Sequence, residues 1–212
     1  MKAIKEKKIK PSKEKIIDIS TEQKIKEAAK TIFTQKGYGN TRTRDIAEEA
    51  GINLALLNYY FRSKEKLFDI VITEEIGRLM GALGHIVNNE ETTIEEKIIS
   101  IVNTYTELMI NNLQLPGFVL SELQNQPEKL GAMINSTNGL MKAYIAKQFK
   151  EKRPDLHPMQ IIMSVMGMIW FPFIARPLFL GTGTLNDTTF KKMMIERKEL
   201  IPVFVMAMLK KK

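Results

Sequence analysis

The stretch Thr41–Phe68, TRTRDIAEEAGINLALLNYYFRSKEKLF, decides how the rest of the chain is read. Ile46, Ala47 and Ala50 give a short helix one apolar face. Gly51 stops it, because glycine supplies a left-handed turn residue without steric cost. Ile52 follows, and Asn53 is a good N-cap for a second short helix whose inward residues are Leu57 and Phe61. Ala47, four residues before Gly51, puts a small side chain where two helices must cross closely at a steep angle. That is the demand of a helix-turn-helix, whose second helix lies in the major groove of DNA.

Three blocks then occur in order: Thr43-Arg44-Asp45-Ile46-Ala47-Glu48-Glu49-Ala50-Gly51-Ile52, Leu57-Asn58-Tyr59-Tyr60-Phe61, and Ser63-Lys64-Glu65-Lys66-Leu67-Phe68. Together they resemble the DNA-binding domain of the tetracycline-repressor (TetR) family of bacterial transcription regulators. The likeness runs from about Ile16 to Leu67. It implies an all-α chain with a three-helix DNA-binding domain at the amino end, followed by a helical ligand-binding and dimerisation domain. It further implies that Thr43 contacts the DNA backbone, that Arg44 contacts a base or the backbone, and that Lys64 holds a phosphate. The expected divisions are residues 1–15 as a basic arm, 16–66 as the DNA-binding domain and 67–212 as the helical domain.

Charge points the same way. Residues 1–66 hold 16 Lys/Arg against 9 Asp/Glu, a net of +7, whereas the whole 212-residue chain carries only +8. A polyanion partner for the amino-terminal segment follows. There are no cysteines and two histidines, His85 and His157, so disulfides and thiolate metal sites are excluded and no metal or cofactor is expected. This fits a reducing cytoplasm, and no apolar segment of signal-peptide type follows the basic start. The run Ile161–Leu180 is long enough to span a bilayer, but Pro172, Arg176 and Pro177 interrupt it. It reads instead as a buried helix at a subunit interface.

In chain order, the arm MKAIKEKKIKPSKEK either follows phosphates or a minor groove, or is a solubilising tail. The first helix is expected from Ser20, capped by Ser20 and Gln23, with Ile25, Ala28, Ala29, Ile32 and Phe33 as its buried stripe. Gly37 ends it and Tyr38 packs beneath the turn. Thr43 is read as the N-cap of the second helix, whose free N–H groups suit a phosphate oxygen. The third helix presents Asn53, Leu54, Ala55, Leu56, Asn58, Tyr59 and Tyr60 outward or partly outward. The family often carries hydroxyl, amide or charged groups here, and a tyrosine in place of Asn58. Leu54, Ala55 and Leu56 can touch thymine methyls, or Leu54 and Leu56 can pack on a neighbouring helix. Asn58 can pair with adenine, and Tyr59 and Tyr60 suit phosphates. Ser63 caps the next helix, which links this head to the rest.

From Thr92 onward every segment reads as helix: Thr92–Asn111, Phe118–Asn125, Pro127 to about Lys152, the apolar segment to Leu180 with a kink or end near Pro172, and Thr188–Leu209 bent at Pro202. The last two carry more apolar surface than one layer needs, which fits a homodimer with a four-helix interface. Thirteen methionines and several aromatics also suit a pocket for an apolar small molecule. The candidates are Tyr105, Met109, Phe118, Glu122, Met141, Tyr144, Met166 and Trp170, with Asn125 and His85 as further polar groups. Plain core packing accounts for the same residues.

The leading reading is a repressor released from a palindromic operator, double-stranded DNA, by an apolar effector. The alternative is a helical protein on DNA or a membrane surface without ligand response. An enzyme is not expected, since no phosphate loop, nucleophile elbow or metal-ligand spacing appears.

Overall fold

The computed structural model describes residues 13–128, 131–132 and 139–210, and every regular element among them is helical, as the sequence predicts. The chain divides into two compact units, Met1–Val71 and Ile72–Lys212. The basic arm up to residue 12 lies outside the described residues.

The first unit holds α1 (Lys13–Asn40), α2 (Thr43–Glu49), α3 (Leu54–Phe61) and the start of α4 (Lys64–Asn88). Helix α1 begins before Ser20, so the expected capping box there is absent. Gln23 instead donates its side-chain amide to Glu27, one turn on, at 3.0 Å. The predicted stripe of Ile25, Ala28, Ala29, Ile32 and Phe33 is buried. Gly37, at φ +74°, breaks the helical path near the end. Behind that break Phe33 meets Phe68 edge-on with ring centres 4.9 Å apart, and Tyr38 lies 4.7 Å from the same ring. Such aromatic pairs contribute about 0.5–1.5 kcal/mol each beyond their burial.

The second unit contains the rest of α4, then α5 (Ile94–Asn111), α6 (Leu115–Asn125), α7 (Gly139–Lys142), α8 (Tyr144–Lys152), α9 (Pro158–Ile174), α10 (Arg176–Gly181) and α11 (Asp187–Leu209). A capping box opens α5. Glu96 N–H donates to Thr93 Oγ1 at 3.2 Å, and Thr93 N–H donates to Glu96 Oε2 at 2.8 Å. Ile98, Ile101, Val102, Tyr105 and Met109 then fall on one buried face. That face packs on α11, whose buried residues are Phe190, Met194, Ile201, Pro202, Val205 and Leu209, and on α9, which buries Ile161, Val165, Ile169 and Phe173 among others.

Two expected helices differ from those observed. The segment from Pro127 to Lys152 is not continuous, because Ala143 is extended at φ −64°, ψ 146° and starts α8 afresh. Helix α9 passes through Pro172 and stops only at Ala175, and Pro177 then sits in the first turn of α10, where no N–H is needed. Among the described residues no helix is long and apolar enough to cross a membrane.

Candidate nucleic-acid interface

Helix α2 buries Ile46 and Ala47 and ends at Ala50. Gly51 follows at φ +65°, a left-handed conformation, and lets Ile52 N–H reach back to the Ala47 carbonyl at 3.0 Å. Asn53 caps α3 by accepting from Leu56 N–H at 2.8 Å, as its residue type predicts. Leu57 and Phe61 turn inward and anchor α3.

The opposite side of α3 is bare. Asn53, Leu54, Ala55, Asn58 and Tyr59 are exposed, while Leu56 and Tyr60 are half-buried. Tyr59 is 76% exposed, and its ring stands edge-on to Tyr60 with centres 5.4 Å apart. A large aromatic held this far out by a rigid helix is available to a partner. Leu54, at 36% exposure, is not consumed by packing. Of the two readings of Leu54, the surface one fits this placement. Leu56, half-buried, is divided between them.

The start of α2 differs from expectation. Arg42, not Thr43, is the N-cap residue, with extended backbone. The cap forms because Asp45 reaches back and accepts from Arg42 N–H at 3.1 Å. Asp45 also pairs with Lys36 at 3.0 Å. That backbone hydrogen bond, and secondarily Lys36, hold the Asp45 carboxyl below its ordinary range. Thr43 is thereby the first helical residue, half-buried, and Arg44 is exposed in the first turn.

Lys64 has a second engagement that its sequence position does not reveal. Its ammonium donates to the Tyr38 carbonyl and the Thr41 carbonyl, both at 3.0 Å, and lies 4.2 Å from the centre of the Tyr38 ring. Thr41 in turn donates its hydroxyl to the Gly37 carbonyl at 2.7 Å. The loop between α1 and α2 is therefore tied to the first turn of α4. An ammonium has three N–H donors, so one is left over for an anion. Ser63 caps α4 as expected, accepting from Lys66 N–H at 3.1 Å.

In the second unit the structure brings some of the candidate pocket residues together and separates others. Tyr105, Met109, Phe118 and Glu122 are buried. The rings of Tyr105 and Trp170 meet edge-on, 5.9 Å apart. Met166 lines a small apolar cavity of about 40 Å³ with Ile98, Ile101, Phe149 and Val165. Met141 and Tyr144 are not part of that core. They line a separate surface groove of about 900 Å³ beside Lys142, Lys147, Lys150 and His157. The break at Ala143 is the reason, since it turns this segment outward. Asn125 and His85 are exposed rather than set among apolar side chains. Sequence reading missed Lys97, a fully buried lysine that donates to the Thr92 carbonyl at 2.6 Å and Thr92 Oγ1 at 2.9 Å.

A helix-turn-helix head with a bare second helix, in an otherwise helical chain, is the architecture of helix-turn-helix regulators. Residues 25–71 match the family described as bacterial regulatory proteins, tetR family. It is 32% identical over 106 residues to the probable HTH-type transcriptional regulator YttP of Bacillus subtilis, covering 50% of this chain and 51% of that one. It is 23% identical over 121 residues to the fatty acid metabolism regulator protein of the same organism, covering 57% and 60%. The chain thus spans little more than half the length of these curated relatives. In fold it is similar to the Bacillus subtilis regulator FadR solved in complex with stearoyl-CoA, with a TM-score of 0.59 at 19% identity over 84% of this chain and 96% of the other.

Proposed function

We propose that this protein is a ligand-responsive transcriptional repressor that binds a palindromic operator as a homodimer. The observation that carries the reading is the bare face of α3, with Asn58 and Tyr59 projecting from a helix whose other side is anchored by Leu57 and Phe61. Asn58 is placed to pair with a base edge, Leu54 and Ala55 to touch thymine methyls, and Tyr59, Tyr60, Thr43 and Arg44 to meet phosphates or groove edges. Asn53 caps α3 and fixes its amino end against the backbone. Lys64 offers its remaining donor to a phosphate while it holds the loop behind α2.

Two such heads about 34–36 Å apart would read two half-sites of a palindrome. The exposed apolar side chains of α9 and α11, among them Phe171 and Phe204, supply the pairing surface. The effector is an apolar small molecule held in the second unit, where Tyr105, Met109, Met166 and Trp170 lie. The names of the relatives as fatty-acid regulators, and the stearoyl-CoA in one of them, support that class. The ligand acts by favouring a head spacing that no longer fits the operator, which requires that it bind that arrangement more tightly than the other. Action on chromosomal DNA puts the protein in the cytoplasm.

The test is a titration of the purified protein onto the DNA upstream of its own gene and onto a scrambled fragment, at near-physiological salt. Specific binding is expected to exceed non-specific binding by about a thousandfold or more. Equal, salt-sensitive binding to both fragments, and to fragments selected from the whole genome, would sink the reading.

A further inference from the structure

Among the described residues of the second unit, two neighbouring aromatic side chains carry buried hydrogen-bond donors without a partner. Tyr105 is 1% exposed, and its hydroxyl has no partner among the described residues. The indole Nε1 of Trp170 is likewise buried and without a partner among them. The two rings are neighbours, edge-on at 5.9 Å. A buried polar group left without a hydrogen bond is unfavourable, and such groups are rare in native cores. Two of them on neighbouring rings call for an explanation.

Their chemistry is narrow. An indole N–H can only donate. Burial holds the Tyr105 phenol well above its ordinary pKa, so it too stays protonated and able to donate. On the same two helices Val102, Met109 and Ile169 are apolar and buried.

The neighbouring space is apolar as well. Ile101 lies one turn before Tyr105 on α5, and Met166 one turn before Trp170 on α9. Both line the cavity of about 40 Å³. The cavity therefore lies along the same two helical stripes, one turn from the two donors. Its volume is that of roughly one water-sized group. Met166, unbranched and flexible, is the wall that a larger ligand would displace.

We propose that Tyr105 and Trp170 form the polar end of the effector site, and that the group they take is an oxygen acceptor on an apolar molecule, such as a ketone, ester or thioester carbonyl. The oxygen takes the donors of Tyr105 and Trp170, and the apolar remainder runs past Met166 towards Ile101. This inference rests on the reading of the second unit as an effector domain, and adds to it the class of group recognised.

The 212-residue chain offers a direct readout, because Trp170 is its single tryptophan. The probes are 2-nonanone, which has one acceptor oxygen, and nonane, which has none. Binding is followed by tryptophan emission and by calorimetry, in the wild type, Tyr105→Phe and Met166→Ala. The ketone is expected to bind and change the Trp170 emission. Tyr105→Phe is expected to weaken ketone binding about five- to tenfold and leave nonane binding unchanged. Met166→Ala is expected to tighten both. Tyr105→Phe should also melt no lower than the wild type, since it removes only an unpartnered hydroxyl. Equal ketone affinity in the wild type and Tyr105→Phe would overturn the proposal, as would failure of the ketone to bind either the wild type or Met166→Ala. A regulator reading that fails would show separately, as loss of sequence preference in the DNA titration, and would not alter these binding results.

Discussion

Lys64 Nζ bridges the carbonyls of Tyr38 and Thr41 and so ties α4 to the loop between α1 and α2. Hydrogen bonds from a charged donor contribute about 1.5–3 kcal/mol each. Lys64→Met removes both bonds of a half-exposed ammonium and should lower the unfolding free energy of the head by about 2–3 kcal/mol, read from urea denaturation, as well as weaken DNA binding. Weakened DNA binding with an unchanged denaturation curve would make Lys64 a phosphate contact and nothing more. The sequence places Lys64 in the first turn of a helix, which suggests a phosphate, but its observed partners lie 26 and 23 residues back, a pairing that no local pattern displays. Asn53 was legible for the converse reason, since an N-cap bonds within its own turn. Asp45 gives a pH prediction. Its folded pKa lies below the ordinary 3.8, so the ionised form is the one the fold favours. Its contribution is present in full above the unfolded value and is lost as pH falls through the depressed one. Asp45→Asn should lower the melting temperature at neutral pH, and the gap to the wild type should close as the pH drops below about 4. A gap independent of pH would mean that the carboxylate charge is not what α2 uses.

Among the elements, the turn between α2 and α3 and the long helix α4 place opposite demands on glycine. Gly51 sits at φ +65°, and a Cβ added there would meet no atom within 4 Å. The cost of Gly51→Ala is therefore backbone strain alone, about 1–2 kcal/mol. Gly77 is exposed inside α4 with equally open space around it. Gly77→Ala should stabilise by about 0.5–1 kcal/mol, because alanine is the better helix former. Opposite signs for these two substitutions in urea denaturation are the expected outcome, and like signs would contradict the assigned turn. Both outcomes follow from features visible in the sequence, a glycine after an apolar helical face and a glycine within one. Helix starts were less legible. Thr43 has the right side chain for a cap, but the cap of α2 is made by a carboxylate reaching backward, which transfers the N-cap position to Arg42. The break at Ala143 has no proline or glycine to announce it. Its consequence is that Met141 and Tyr144 line a different concavity from Met166: the α5 and α9 stripes were visible as periodicity, whereas which of their members face a cavity depends on packing between helices distant in sequence.

For the whole molecule, the net charge of +7 in residues 1–66, against +8 for the full chain, concentrates the attraction for DNA in one unit. The other unit carries an apolar surface that its own fold leaves uncovered. Phe171 is 61% exposed on α9, and Phe204 is 50% exposed on α11. Met193, Leu200 and Phe204 recur at helical spacing along one side of α11 and are all exposed. Phe171 and Met193 line one surface concavity of about 600 Å³. Exposed apolar side chains grouped in this way mark an interaction surface, and under the proposed reading of a palindrome the simplest occupant is a second copy of the chain. Phe204→Glu places a charge in that face. The variant should keep its helical circular dichroism, since Phe204 lies outside the buried set, and should sediment as a monomer where the wild type sediments as a dimer. Its affinity for a full operator should fall by about a hundredfold or more, because the second head is no longer held near its half-site at high effective concentration. Its affinity for an isolated half-site should not change. A Phe204→Glu protein that remained dimeric would move the pairing surface elsewhere on the molecule, and one that was monomeric yet bound the full operator as tightly as the wild type would show that pairing of the two heads is not what gives the operator its affinity.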